Sequence, residues 1–98
     1  MAEDLSFMPP PMQEEFRAAA QWLGDAMTAK KISDEEAIVA YRHYKQAVCG
    51  DNNTPAPSAI WFRAKRKWDE WTSMKGMPRL DAARGYIETI NRLKAAHP

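Results

Sequence analysis

The chain has one cysteine, Cys49, and two histidines, His43 and His97, in 98 residues. A single thiol excludes an intramolecular disulfide and a zinc site built from several cysteines, and the two histidines lack ligand spacing. No structural metal is expected. No long uncharged run occurs, which excludes a membrane-spanning helix. The first residues, Met1-Ala2-Glu3-Asp4, put acids where a signal peptide needs positive charge. With neither an export signal nor a disulfide, a cytoplasmic location is expected. Also missing are a glycine-rich phosphate loop, a nucleophile elbow, a metal-binding helix motif and paired catalytic carboxylates. Cys49 has only His43 nearby as a base, and the plain reading is a buried apolar cysteine. The chain is therefore not expected to be an enzyme, and no cofactor is implied.

What is present describes a globular protein. Apolar residues make up 45% and charged residues 28% of the chain, outside the disordered range. A chain this long builds one core and buries roughly two-thirds of the surface its unfolded form exposes. The net charge of +1 conceals a division. Residues 1–40 hold eight acids against three bases, whereas residues 41–75 hold seven bases against three acids. An anionic partner is implied if folding gathers those bases.

The pattern along the chain is helical, with neither strand alternation nor an internal repeat. Residues 1–12 read as an acidic, proline-bearing extension, because Pro9-Pro10-Pro11 cannot enter a helix interior. Residues 13–98 read as the domain. Phe16, Ala19/Ala20, Leu23 and Met27 form one apolar stripe, and residues 28–31 make the connection. Ser33-Asp34-Glu35-Glu36 is a capping box opening a second helix that runs to about Cys49, where Gly50 closes it in left-handed geometry. The loop at 51–57 precedes a third helix that begins between Ser58 and Ala64 and ends at Gly76. Pro78 suits the first position of a fourth helix, with Ala82/Ala83, Tyr86, Ile90 and Leu93 inward. The sum is an all-α bundle.

Two segments carry chemistry. On the second helix Tyr41, Tyr44 and Lys45 lie three and four residues apart, so they meet on adjacent turns. A phenol and an ammonium offer donors to a phosphate, and a ring offers a face to a base. Boundary tyrosines with buried rings and wet hydroxyls explain the same spacing. On the third helix, Arg63, Lys65, Arg66 and Lys67 precede Trp68 and Trp71. That run suits a nucleic-acid backbone with stacked bases, and equally a solvated face above a tryptophan core. His43 is expected on a solvated flank and His97 in a frayed end, with Arg42 and Lys75 as plain surface charges. The proline run leaves a third reading, an interaction module docking through its head.

These blocks together resemble the acyl-CoA-binding protein family. They are Tyr41-Arg-His-Tyr-Lys-Gln-Ala47, Gly50-Asp51, Lys65-Arg-Lys-Trp-Asp-Glu-Trp71, Lys75-Gly76, Asp81-Ala82 and Tyr86-Ile87. Order and separation agree from about Phe16 to Lys94. The resemblance implies a four-helix up-down-down-up bundle that binds medium- to long-chain fatty acyl-CoA esters without reacting them. It implies that Tyr41, Tyr44, Lys45, Lys67 and Tyr86 hold the adenine and ribose 3′-phosphate, with Lys31 and Arg63 at further basic positions of the family. Ala19, Ala20, Leu23, Ala37 and Ile38 match positions that line the acyl groove, and helix packing accounts for each of them singly as well. A monomeric carrier is implied, touching acyl-CoA-using enzymes or membranes in passing and taking no nucleic acid. Departures from the family are the long head, Leu23-Gly24-Asp25 where a lysine is frequent, Ala56 and Ser58 around Pro57, and the additional Trp61 and Arg66.

Overall fold

The computed structural model describes residues 4–98; Met1 to Glu3, the start of the acidic head, lie outside the described residues. Four helices follow one another: α1 (Pro10–Thr28), α2 (Asp34–Cys49), α3 (Phe62–Thr72) and α4 (Arg79–Ala96). The described residues hold no strand. The short α1–α2 link turns the chain back on itself, while the long loop at 50–61 lets α3 run alongside α2, giving the up-down-down-up bundle. α2 is central, packing most extensively on α4 and then on α3, and α1 leans on α4.

The proline run behaves differently from the expectation. α1 starts at Pro10, not Gln13, and Pro10 and Pro11 form its first turn. An amide is orphaned there in any helix, so a missing N–H costs nothing. The head also packs: Leu5 and Met8 are buried in the core beside Phe16, Tyr86 and Ile90. Phe7 lies under the Arg79 guanidinium, 4.1 Å from ring centroid to Cζ.

Each helix end has its own cause. α1 closes in a Schellman arrangement, with Lys30 N–H donating to Met27 O and Lys31 N–H to Ala26 O. Lys30 takes the left-handed position (φ +56°) usually given to glycine. The capping box of α2 is present as read: Glu36 N–H donates to Ser33 Oγ, and Ser33 N–H to Glu36 Oε1. Gly50 has positive φ, but its ψ of −155° lies outside the left-handed helical basin, in a region open essentially to glycine alone. Arg79 covers the exposed α2 carbonyls, donating to Ala47 O (2.7 Å) and Val48 O (3.2 Å). α3 ends at Thr72, four residues short of Gly76, and turns fill the gap. Pro78 is the N-cap of α4 rather than its first residue.

The loop at 50–61 is tied down by α3. Trp71 Nε1 donates to Gly50 O at 2.8 Å, and Trp68 Nε1 to Thr54 O at 3.1 Å. Asp51 accepts from Gln46 Nε2 and Gly76 N–H, which join the end of α2 to the turn after α3 and hold its carboxyl below the usual range. Trp71 is buried and Trp68 half-buried.

Four local expectations change. Cys49 is exposed, at the last position of α2 where the helix leaves the core. His43 is half-buried, its ring pressed towards Gly85 of α4. His97 is not frayed, since its Nε2 lies 2.9 Å from Glu36 Oε2. Arg42 pairs with Glu70 at 3.5 Å.

Candidate ligand-binding groove

α1, α2, α3 and α4 together enclose a hollow of ≈ 380 Å³. Ala20, Leu23, Gly24 and Met27 of α1 form one wall, spaced at one face of a helix. Ala37 and Ile38 of α2 face them. Tyr41, Tyr44 and Tyr86 line the hollow further along, with Arg63 and Lys67 of α3 at its side and Asp34 at its rim. The lining thus combines aliphatic side chains of α1 and α2 with three tyrosines, two cations and one carboxylate.

The tyrosines are held by the core. Phe16, Tyr44 and Tyr86 form a triangle with ring centroids 5.6, 5.1 and 5.4 Å apart. Tyr86 is buried, and Tyr44 is stacked on Phe16 with an interplanar angle of 13°. The capping box starts α2 three residues before Ala37 and thereby sets the register of Ala37, Ile38, Tyr41 and Tyr44. The two tryptophan hydrogen bonds set α3, and hence Arg63 and Lys67.

The cations sit differently from one another. Lys67 Nζ lies 5.5 Å from the Tyr41 ring centroid, and Lys45 Nζ 5.0 Å from that of Trp71. Neither ammonium has a carboxylate partner among the described residues. Arg63 Nη2 donates to Asp34 Oδ2 at 2.7 Å. Arg66 is engaged with Glu35 of α2 and Glu70 of its own helix, contacts that raise its already high pKa further. Glu35, Phe62 and Arg66 join Asp34, Ile38 and Arg63 around a second hollow next to the first.

Of the residues singled out from sequence, Tyr41, Tyr44, Tyr86, Lys67, Arg63, Ala20, Leu23, Ala37 and Ile38 line one hollow. Ala19 does not: it is 4% exposed and belongs to the buried core cluster. Lys31 and Lys45 lie outside the lining. Lys31 is exposed on the α1–α2 link, and Lys45 is turned onto Trp71. Gly24, Met27 and Asp34 line the hollow without having been singled out. The signal for Met27 was in the α1 stripe, which reads as core; yet Met27 is 50% exposed, since the stripe runs past the end of the packed interior.

Residues 13–90 match the model of a family described as Acyl CoA binding protein. The chain is 45% identical over 67 residues to Diazepam-binding inhibitor-like 5 of Mus musculus, covering 68% of this chain and 77% of that protein. It is 34% identical over 83 residues to Acyl-CoA-binding domain-containing protein 6 homolog of Dictyostelium discoideum, covering 84% of this chain but only 29% of that longer protein. The crystal structure of Oryza sativa Acyl-CoA-Binding Protein 2 superposes with a TM-score of 0.76 at 29% identity, over 88% of this chain and 91% of that one. The chain belongs to the acyl-CoA-binding protein family.

Proposed function

We propose that the protein binds medium- to long-chain fatty acyl-CoA esters as a monomer and carries them without chemical change, in the cytoplasm, between enzymes and membranes. The observation that carries this reading is the joint lining of one hollow by an aliphatic wall and by Tyr41, Tyr44, Tyr86, Arg63 and Lys67. A ribose 3′-phosphate carries about −1.5 to −2 charge near pH 7. Lys67 and Arg63 supply charge at the hollow, and Lys45 and Lys31 are the further cations assigned to the site in this proposal. A tyrosine ring takes the adenine face, a contact worth roughly 1–3 kcal/mol in single-strand binders. Ala20, Leu23, Met27, Ala37 and Ile38 then receive the acyl chain, where each methylene removed from water contributes about 0.8 kcal/mol.

The basic run does not favour nucleic acid as a second reading. Arg63, Lys65 and Arg66 are engaged by Asp34, Asp69 and the Glu35–Glu70 pair, leaving Lys67 alone without a carboxylate among the described residues. A continuous cationic face is what phosphate-backbone binding requires. Nor is the head a free docking peptide, since Leu5 and Met8 are core residues.

Calorimetric titration with palmitoyl-CoA, free palmitate and CoA tests the reading. Tight binding is expected only where both halves of the ligand are present. Palmitate binding as tightly as its CoA ester would remove the phosphate site.

A further inference from the structure

Three consecutive large apolar residues stand in water: Ile60 is 78%, Trp61 66% and Phe62 73% exposed. They sit where the loop at 50–61 enters α3, beyond both of the tryptophan ties that hold that loop. The segment has a defined shape. Trp61 N–H donates to Ser58 O, Ile60 N–H to Ser58 Oγ, and Lys65 N–H to Trp61 O. It is a fixed projection, and its exposure is a cost that core packing does not recover.

We propose that Ile60-Trp61-Phe62 is a wedge that docks the protein on an anionic lipid bilayer. Charge complementarity selects that partner. Two acids at the start of α2 are paired with arginines, Asp34 with Arg63 and Glu35 with Arg66, while Glu36 contacts His97, which adds charge only when protonated. Lys30 and Lys31 on the α1–α2 link, and Lys67 on α3, have no carboxylate partner among the described residues. Asp25, bonded to the Gln21 amide, is the one nearby acid of α1 that no cation neutralises among those residues. Lys30, Lys31 and Lys67 outnumber Asp25 and Glu36, so the surplus is positive even with His97 neutral. Arg63 and Lys67 line the first hollow with Met27, three residues before Lys30, while Phe62 of the wedge lines the adjoining hollow with Arg63 and Arg66. Lysines of this kind attract acidic headgroups within a Debye length, and indole rings settle at the headgroup level.

The form of the patch favours a fluid partner over a rigid one. Phe62 opens α3 while Ile60 and Trp61 lie in the turn before it, Trp61 with φ −93° and ψ 64°, so the three do not form a stripe along one helix face. A protein partner would need a pocket for each, whereas a headgroup layer yields around all three.

The test uses the full chain with vesicles of phosphatidylcholine alone and of phosphatidylcholine mixed with phosphatidylserine. Co-sedimentation is expected on the mixed vesicles, weakened by salt, with a blue shift of tryptophan emission. The Ile60→Ser/Trp61→Ser variant should lose at least about tenfold in partitioning, since two apolar side chains no longer leave water. Its far-UV helicity and its palmitoyl-CoA affinity without vesicles should be unchanged, because neither residue lines a hollow. Equal partitioning of variant and wild type overturns the proposal, as does equal binding to both kinds of vesicle. A wild-type dimer dispersed by the variant overturns it too, assigning the patch to a second copy. Failure of palmitoyl-CoA to bind leaves the vesicle result standing, so the two readings fail separately.

Discussion

Arg63 and Asp34 join α3 to the first turn of α2 through a 2.7 Å ion pair, and both residues line both hollows. Each side chain is about 70% exposed, and pairs of that kind contribute at most about 1 kcal/mol. A phosphate bearing more charge than one carboxylate can displace Asp34 cheaply. Asp34→Asn is therefore expected to tighten palmitoyl-CoA binding a few-fold, because it frees Arg63 and removes a negative charge from the rim. The same change should cost about 0.3–1 kcal/mol of stability, since an acid leaves the positive end of the α2 dipole. Arg63→Ala should weaken binding, and in that background Asp34→Asn should lose part of its benefit. Calorimetry on the four proteins measures the coupling; strict additivity would separate Arg63 from the ligand.

Arg66 closes the second hollow by spanning Glu35 and Glu70. An alkyl chain running past Ile38 meets a charged group held by two carboxylates, which it cannot enter without leaving charge unsolvated. Arg66→Ala is expected to improve binding of longer acyl chains relative to shorter ones. Affinities for a series of CoA esters of increasing length test this. A uniform change across the series would mean that Arg66 does not bear on length.

The elements legible in the sequence are those whose signals are local. The Ser33–Glu36 box and the α4 stripe depend on neighbours three or four residues away, and both stand in the structure as read. Pro10 and Pro11 misled because a proline excluded from a helix interior is welcome in its first turn. Ala19 and Ala20 were indistinguishable by residue type, yet one is buried in the core and the other lines the hollow. That difference lies in the rotation of α1, which no local pattern encodes. The engagement of Arg66 by Glu35 joins residues 31 apart, and spacing within one helix gives no sign of it.

Tyr86 combines lining and packing, and its substitutions should separate the two. Its ring is 1% exposed and meets both Phe16 and Tyr44. Tyr86→Ala is expected to cost about 3–5 kcal/mol, the usual range for deleting a buried aromatic ring. A loss of binding in that variant would report a loosened core. Tyr86→Phe keeps the ring and should cost about 1 kcal/mol, so its affinity for palmitoyl-CoA isolates the hydroxyl. Denaturant unfolding beside the titration distinguishes the cases.

His43 and Gly85 are expected to govern a mild acid sensitivity. A Cβ on Gly85 would lie 2.4 Å from His43 Cδ2 and 2.7 Å from Nε2, so α4 admits the ring only because residue 85 has no side chain. Burial, aided by Arg42 and Arg92 and opposed by Glu88, holds the imidazole pKa below its ordinary value of 6.5. The unfolded chain then binds the proton more readily than the folded one. Stability should be highest above about pH 6.5 and fall as the pH drops towards the folded value. His43→Gln should flatten Tm against pH in that window. Glu36 and Asp51 are also held low, but they titrate below 4.5 and 3.8 and leave the window clear. At neutral pH Gly85→Ala gains about 1 kcal/mol of helix propensity, against about 1–3 kcal/mol for crowding a packed ring. The crowding should win, giving a net loss. In a His43→Ala background the crowding is gone, and the same substitution should raise stability. A Gly85→Ala loss that persists without the imidazole would place its cause elsewhere in α4.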